Sequence, residues 1–211
     1  IKRGSTVGII GGTGSGKSTL INLIPRFYDV TQGSVEVDGR NVKDYSFKQL
    51  RKQIGIVPQQ SILFKGTIRD NMKWENPDLS DEDIITALKN AQAYEFVSKL
   101  PMGLDSHVEQ GGKNFSGGQR QRLCIARAIA AQPKVLILDD SFSALDFATD
   151  AALRKALSQY THEMTVIIVT QRCSTIMNSD LILVLDDGML VGKGTHKELL
   201  KNCETYKEIC L

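Results

Sequence analysis

Eight residues, Gly11-Gly12-Thr13-Gly14-Ser15-Gly16-Lys17-Ser18, constrain this 211-residue chain more than any other stretch. They satisfy the pattern G-x-x-x-x-G-K-[ST], whose use depends on its setting: a strand must lead in and a helix must lead out. Both are legible. Thr6–Ile10 is a short apolar, β-prone run, and Leu20, Ile21, Leu23 and Ile24 repeat at helical spacing. Glycines let successive backbone N–H groups turn inward around a phosphate, and the following helix adds its positive end. Lys17 can then reach the β- and γ-phosphates of a nucleotide, and the Ser18 hydroxyl can ligate Mg²⁺. A chance glycine turn fits the pattern in roughly one chain of a hundred at average composition, before the strand–loop–helix setting is demanded. The loop alone does not separate a kinase, a GTPase and a motor ATPase.

A second element narrows the choice. Val135-Leu136-Ile137-Leu138 is an apolar run that ends in two carboxylates, Asp139 and Asp140. A strand buried in a sheet delivers its terminal acid to the edge where phosphates lie, and there Asp139 would hold Mg²⁺, through water. An aspartate that merely caps a strand–helix junction is the competing explanation; beside a phosphate loop it is the weaker one.

Composition excludes several classes of partner. The chain is 41% hydrophobic and 24% charged with a net charge of +2, and acids and bases are interleaved throughout. No basic footprint for nucleic acid and no polybasic run for a lipid surface result. No apolar run approaches the eighteen or so residues of a membrane span. Cys124, Cys173, Cys203 and Cys210 show no CxxC spacing, so reduced thiols in a cytosolic compartment are expected. The chain starts at Ile1 without methionine or a signal-peptide pattern and reads as a domain of something longer, any membrane portion lying upstream.

Along the chain, Ser34–Asp38 and Ile54–Val57 read as strands, and Ser46 with Gln49 as a capping box. From about Gln59 the signals turn helical, with capping-box starts at Thr67/Asp70 and Ser80/Asp83 and a long helix over 117–131. Strand signals return at Val135–Leu138, Val166–Val169 and Leu181–Leu185, with a helix around Ala148–Ser158. The expected organisation is a mixed α/β core over 1–58 and 132–211, interrupted by a mainly helical subdomain over 59–131.

Asn114-Phe115-Ser116-Gly117-Gly118-Gln119 opens the long helix with a hydroxyl and bare N–H groups, a second anion site on one chain. Two separate anion sites suit two nucleotides, so two copies facing head to tail would complete each other. Here the sequence resembles the ABC ATPases, whose signature is LSGGQ, over essentially its whole length. Walker A is Gly11–Ser18, the Q-loop glutamine is Gln59, the signature is Phe115–Gln119, Walker B is Val135–Asp139 and the D-loop is Ser143–Asp146. Leu63–Asn71 and Leu100–Asp105 look like the exporter branch. The resemblance implies a P-loop, RecA-like α/β core with an inserted α-helical signature subdomain. It implies Mg·ATP bound by Gly11, Gly12, Thr13, Gly14, Ser15, Gly16, Lys17, Ser18 and Thr19, with Ser116, Gly117, Gly118 and Gln119 reaching a nucleotide across a dimer. Ser18, Gln59 and Asp139 would serve the metal, and Gln59, Asp140 and Gln171 the chemistry. The implied partners are transmembrane domains of the same chain and a second nucleotide-binding domain, with no nucleic acid, at the cytoplasmic face of the cell membrane. The family's adenine-stacking aromatic would lie upstream of Ile1.

Three positions depart from the family pattern. The residue after Walker B is normally Glu and here is Asp140; one methylene withdraws the carboxylate by about 1.5 Å, and displacements near 1 Å can cost on the order of a hundredfold in rate. The switch residue, normally His, is Gln171 in Val169-Thr170-Gln171-Arg172, and none of His107, His162 or His196 occupies that position. An amide can still donate to a γ-phosphate but cannot carry positive charge. Before the signature, Gln110 stands where Glu is usual, with Glu109 one place early. The combination looks like the degenerate half of a heterodimeric exporter. The alternatives are a fully active ATPase tolerant of Asp140 and Gln171, or a soluble ABC ATPase outside transport.

Overall fold

The computed structural model describes residues 1–160 and 164–210; His162 lies outside them. In chain order the main elements are β1 (Thr6–Ile10), α1 (Lys17–Asn22), β2 (Glu36–Val37), β3 (Arg40–Asn41), α2 (Phe47–Arg51), β4 (Ile54–Val57), β5 (Gly66–Thr67), α3 (Ile68–Met72), α4 (Asp81–Asn90) and α5 (Tyr94–Ser98). They continue as β6 (His107–Val108), α6 (Gly117–Ala130), β7 (Val135–Asp139), α7 (Phe147–Tyr160), β8 (Thr165–Thr170), α8 (Cys173–Ile176), β9 (Leu181–Asp186), β10 (Met189–Gly194), α9 (His196–Asn202) and α10 (Glu204–Cys210). The chain divides into two compact units, one of Ile1–Gly55, Lys134–Asp140 and Glu163–Leu211, the other of Ile56–Pro133 and Ser141–His162.

The first unit is built on a sheet of order β10-β9-β1-β8-β7-β4, and the boundary between the units falls inside its last strand. Strands β9, β1, β8 and β7 are parallel neighbours. Sheets of this kind are covered on both faces, which is why their strands read as apolar runs without alternation. Val7, Ile10, Leu136, Ile137, Leu138, Ile182 and Val184 are all buried to within 2% exposure. Register then fixes the site. Ile10 pairs with Thr170 and Asp139 with Val169, so the residues that follow β1, β7 and β8 leave the sheet at one common edge. Open parallel sheets bind ligands outside these carboxyl ends.

The structure adds a strand beyond those expected, β10. It pairs antiparallel with β9 around Asp187-Gly188, whose φ values of 43° and 76° are the left-handed pair that a tight hairpin turn requires. The strand signal over Ser34–Asp38 shrinks to Glu36–Val37 paired with Arg40–Asn41.

The second unit is mainly helical. Reciprocal capping boxes start α3 at Thr67, α4 at Ser80 and α6 at Ser116, and the Ser46 box does the same for α2 in the first unit. Ile84, Ala87 and Leu88 of α4 fall at i, i+3 and i+4, and this buried stripe packs on α6 and α7. A small antiparallel strand pair, Gly66–Thr67 against His107–Val108, lies within the otherwise helical stretch. No described helix is long and apolar enough to cross a membrane.

Asn71, 1% exposed, holds the turn that starts α3. Its Oδ1 accepts from the Phe64 N–H at 2.8 Å, and its Nδ2 donates to the carbonyls of Phe64 and Thr67 at 2.8 and 2.9 Å. Asn71→Ala leaves those backbone groups unsatisfied at a cost of about 2–4 kcal/mol. A fall in melting temperature of roughly 4–16 °C is expected for a chain of this size, and calorimetry that finds no fall would refute this role.

The four cysteines do not all remain thiols. Cys173 is bonded to Cys210 as a disulfide, whereas Cys124 and Cys203 are free and buried. The expectation of reduced thiols throughout is corrected, because α8 and α10, far apart in sequence, pack against each other and bring the two sulfurs together.

Candidate functional site

Strand β1 delivers Gly11 to the sheet edge, and the next residues wrap into a loop closed by the Ser15 N–H donating to the Gly12 carbonyl at 3.3 Å. Gly14 and Gly16 take φ of 81° and 90°, conformations that disfavour any side chain. Gly11 is required for another reason: a Cβ there would lie 2.1 Å from the Leu185 carbonyl oxygen of β9. Lys17, first residue of α1 and 9% exposed, turns its ammonium back into the loop. Its Nζ donates to the Gly11 and Gly12 carbonyls at 2.9 and 2.6 Å and to Ser15 Oγ at 3.2 Å. Thr13, Ser18 and Thr19 are exposed.

The acidic strand end meets this loop. Ser18 Oγ donates to Asp139 Oδ2 at 3.1 Å, joining α1 to β7 across 121 residues of sequence. Burial raises the Asp139 pKa, opposed by the Ser18 hydrogen bond, and the Asp140 charge adds to the rise. Burial lowers that of Lys17, against the attraction of Asp139 and Asp140. Asp140 sits at φ 47° with its N–H donating to the Val169 carbonyl at 2.9 Å, so a left-handed residue that aspartate tolerates ends β7. Gln171 is exposed just past β8, in a turn where the Arg172 N–H donates to Thr170 Oγ1 at 3.0 Å. The structure thus gathers Gly11–Thr19, Asp139, Asp140 and Gln171 at one edge of one sheet.

These residues fit Mg·ATP. A loop with left-handed glycines, a lysine held inside it and a helix leading out suits a polyphosphate. A hydroxyl and a carboxylate within hydrogen-bond distance are the hard oxygen donors that Mg²⁺ takes.

The remaining candidates belong to the second unit. Gln59 is exposed after β4, where Ser141 Oγ donates to the Val57 carbonyl at 3.1 Å. Ser116 caps α6: its Oγ accepts from the Gln119 N–H at 3.2 Å, and Gln119 Oε1 accepts from the Ser116 N–H at 3.0 Å. One hydroxyl can accept there and still donate outward, while Gly117 and Gly118 supply free N-terminal amides. A Cβ on Gly118 would come within 3.3 Å of the Ala144 carbonyl, so the helix start packs closely on the 141–146 segment. His196 is the first residue of α9, as its sequence context suggests.

Sequence reasoning reads Leu181–Leu185 as a strand but does not place it, or the turn after it, beside the loop. Leu185 fills the space beside Gly11, and Gly188 lies 3.6 Å from where a Gly16 side chain would begin. The Asp187-Gly188 pair was the available signal.

A parallel sheet that releases a glycine loop and an acidic strand end at one edge defines a phosphate-loop nucleotide-binding fold. Comparison with known proteins places it more narrowly. The family profile described as ABC transporter matches residues 1–143. The uncharacterized ABC transporter ATP-binding protein YfiB of Bacillus subtilis is 48% identical over 97% of this chain and 35% of its own length. A Staphylococcus aureus protein named for multidrug export as an ATP-binding/permease protein is 44% identical over 99% of this chain and 36% of its own. The solved structure of a bacterial Atm1-family ABC exporter with ATP bound superposes at a TM-score of 0.95 with 37% identity, over 99% of this chain and 36% of that one. The chain belongs to the ABC transporter family, as a nucleotide-binding domain of the exporter type. It spans about a third of the length of the curated relatives it matches.

Proposed function

We propose that this chain binds Mg·ATP at Gly11–Thr19 and couples its binding and hydrolysis to export across a membrane. The observation that carries the reading is the ammonium of Lys17 held inside the glycine loop, beside a Ser18 hydroxyl joined to Asp139. Lys17 and the loop amides would hold the β- and γ-phosphates, and Ser18 and Asp139 would hold the metal, a role the family resemblance extends to Gln59. When bound, Mg²⁺ would supply charge neutralisation for the phosphates. Asp140 orients the attacking water, and the Gln171 amide donates to the γ-phosphate. The transmembrane domains belong to the same protein, and the domain works at the cytoplasmic face, its relatives being ATP-binding and permease proteins in one chain.

We further propose a division of labour with a second nucleotide-binding domain of a different chain. Asp140 and Gln171 act only on the nucleotide held by Lys17, and both are weaker than the residues the family places there. This chain's own site turns over slowly. Its Phe115–Gln119 signature, with Ser116, Gly117, Gly118 and Gln119 intact, covers the partner's phosphate loop and completes the fast site.

Steady-state hydrolysis by the purified heterodimer, with nucleotide trapping on each subunit, tests this. Ser116→Arg is expected to stop most turnover, by setting bulk and charge against the partner's γ-phosphate, while ATP stays on this chain's own loop. Asp140→Glu together with Gln171→His is expected to raise own-site turnover by more than the two single changes combined, since base placement and phosphate contact cooperate. Turnover that survives Ser116→Arg but disappears with Lys17→Ala would reverse the assignment of slow and fast sites.

A further inference from the structure

Just past the Gln171–Arg172 turn that follows β8, three short helices of the first unit converge on a group of side chains to which the ATP chemistry described above gives no role. Cys173 opens α8, His196 opens α9 and Cys210 closes α10, and α10 packs on both other helices. One ligand atom from each of the three residues lies within 4.8 Å of the other two, and all three are half-buried. The sulfurs are joined as a disulfide. Cys173 Sγ is 4.0 Å from His196 Nδ1. Tyr206, fully buried, places its hydroxyl 2.8 Å from His196 Nδ1 and 3.4 Å from Cys173 Sγ.

A disulfide needs two cysteines and nothing more. Beside it stands an imidazole hydrogen-bonded to a buried phenol, and two thiolates with one imidazole form a donor set for zinc-class ions. The spacing is close to what such an ion needs. With Zn–S near 2.3 Å and Zn–N near 2.0–2.1 Å, a tetrahedral site sets sulfur and nitrogen about 3.6 Å apart and the two sulfurs about 3.8 Å apart. The Cys173 S–N distance is already within about 0.5 Å of that value, the three ligand atoms all lie within 4.8 Å of one another, and opening the disulfide frees both sulfurs to adjust.

We propose that Cys173, His196 and Cys210 form a redox-gated binding site for a zinc-class divalent ion, formed when the disulfide is reduced and abolished when it closes. A dithiol reductant supplies two electrons and two protons: the Cys173–Cys210 bond breaks, the reductant closes its own disulfide, and two thiols result. As the ion binds, both thiols release their protons to solvent and their sulfur lone pairs, with that of His196 Nδ1, form the metal bonds. The fourth position is left for water. Tyr206 then serves as the outer partner, its O–H turning from Nδ1 toward the Cys173 thiolate, the kind of contact that orients metal ligands.

The test titrates Co²⁺ into the whole 211-residue chain, oxidised or reduced with a phosphine that is not itself a thiol ligand. The reduced chain is expected to bind one equivalent with thiolate-to-cobalt charge-transfer absorption, and Zn²⁺ is expected to displace it. The oxidised chain is expected to show no such band. Cys173→Ser and Cys210→Ser should each weaken binding at least tenfold, as should His196→Gln, while Cys124→Ser and Cys203→Ser leave it unchanged. Circular dichroism reports whether each species is folded. The comparison of oxidised with reduced wild-type chain needs no variant. A folded reduced chain without the band, a band that survives loss of both Cys173 and Cys210, or unfolding on reduction would each overturn the proposal.

Discussion

Replacing Lys17 by alanine is expected to weaken ATP binding about a hundredfold. The ammonium donates to three oxygens inside the loop, so it is held where a polyphosphate would meet it. Hydrogen bonds to charged groups contribute about 1.5–3 kcal/mol each. Two of them, to the β- and γ-phosphates, come to at least about 3 kcal/mol, roughly two decades of dissociation constant. Only 9% of Lys17 is exposed. Its removal therefore also empties space inside the loop, and the loop carbonyls lose their donor. Titration calorimetry on wild-type and variant chains measures the change, with thermal melts run alongside to show that both are folded. An affinity unchanged in a folded variant would remove the basis for assigning the phosphates to this loop.

A single methyl group at Gly11 is expected to damage the fold itself. The Cβ would stand 2.1 Å from the Leu185 carbonyl oxygen and 2.6 Å from Ser15 Oγ. Ser15 can rotate, but Leu185 cannot retreat: it lies on β9, an interior strand hydrogen-bonded between β1 and β10. Overpacking of this kind costs about 3 kcal/mol, so Gly11→Ala should melt roughly 6–12 °C below the wild type. Gly12→Ala is the control. A Cβ there meets nothing within 4 Å and its φ is not left-handed, so its melting temperature should hardly move. Equal melting temperatures for the two variants would mean that β9 yields, and that the loop is less firmly seated than its geometry says.

Much of the site was legible in local pattern. Glycines followed by Lys17 and Ser18, an apolar run ending in Asp139, and Ser116 three residues before Gln119 each carry their chemistry within eight residues. Such signals act through the backbone at short range, so they survive without knowledge of the fold. The capping boxes at Ser46, Thr67 and Ser80 formed as expected for the same reason, and Ser116 with Gln119 adds a fourth at the start of α6. Strand β10 did not announce itself, because Met189–Gly194 is largely exposed and holds two glycines, and its pairing depends on β9 being in place.

By itself, then, the sequence determined the elements whose cause is local: the phosphate loop, the acidic strand end, the helix starts, and through them the family resemblance. Tertiary structure alone decided which distant groups meet. It set Ser18 against Asp139, and Gly11 against Leu185. It grouped Ser141–His162 with the second unit, where Leu153 and Leu157 of α7 are buried. It brought Cys173 to Cys210 across 37 residues and seated both beside His196. Hydrophobic burial that drives these meetings is non-directional. It therefore leaves in the sequence only a periodicity of apolar residues, and not the identity of the partner each will find.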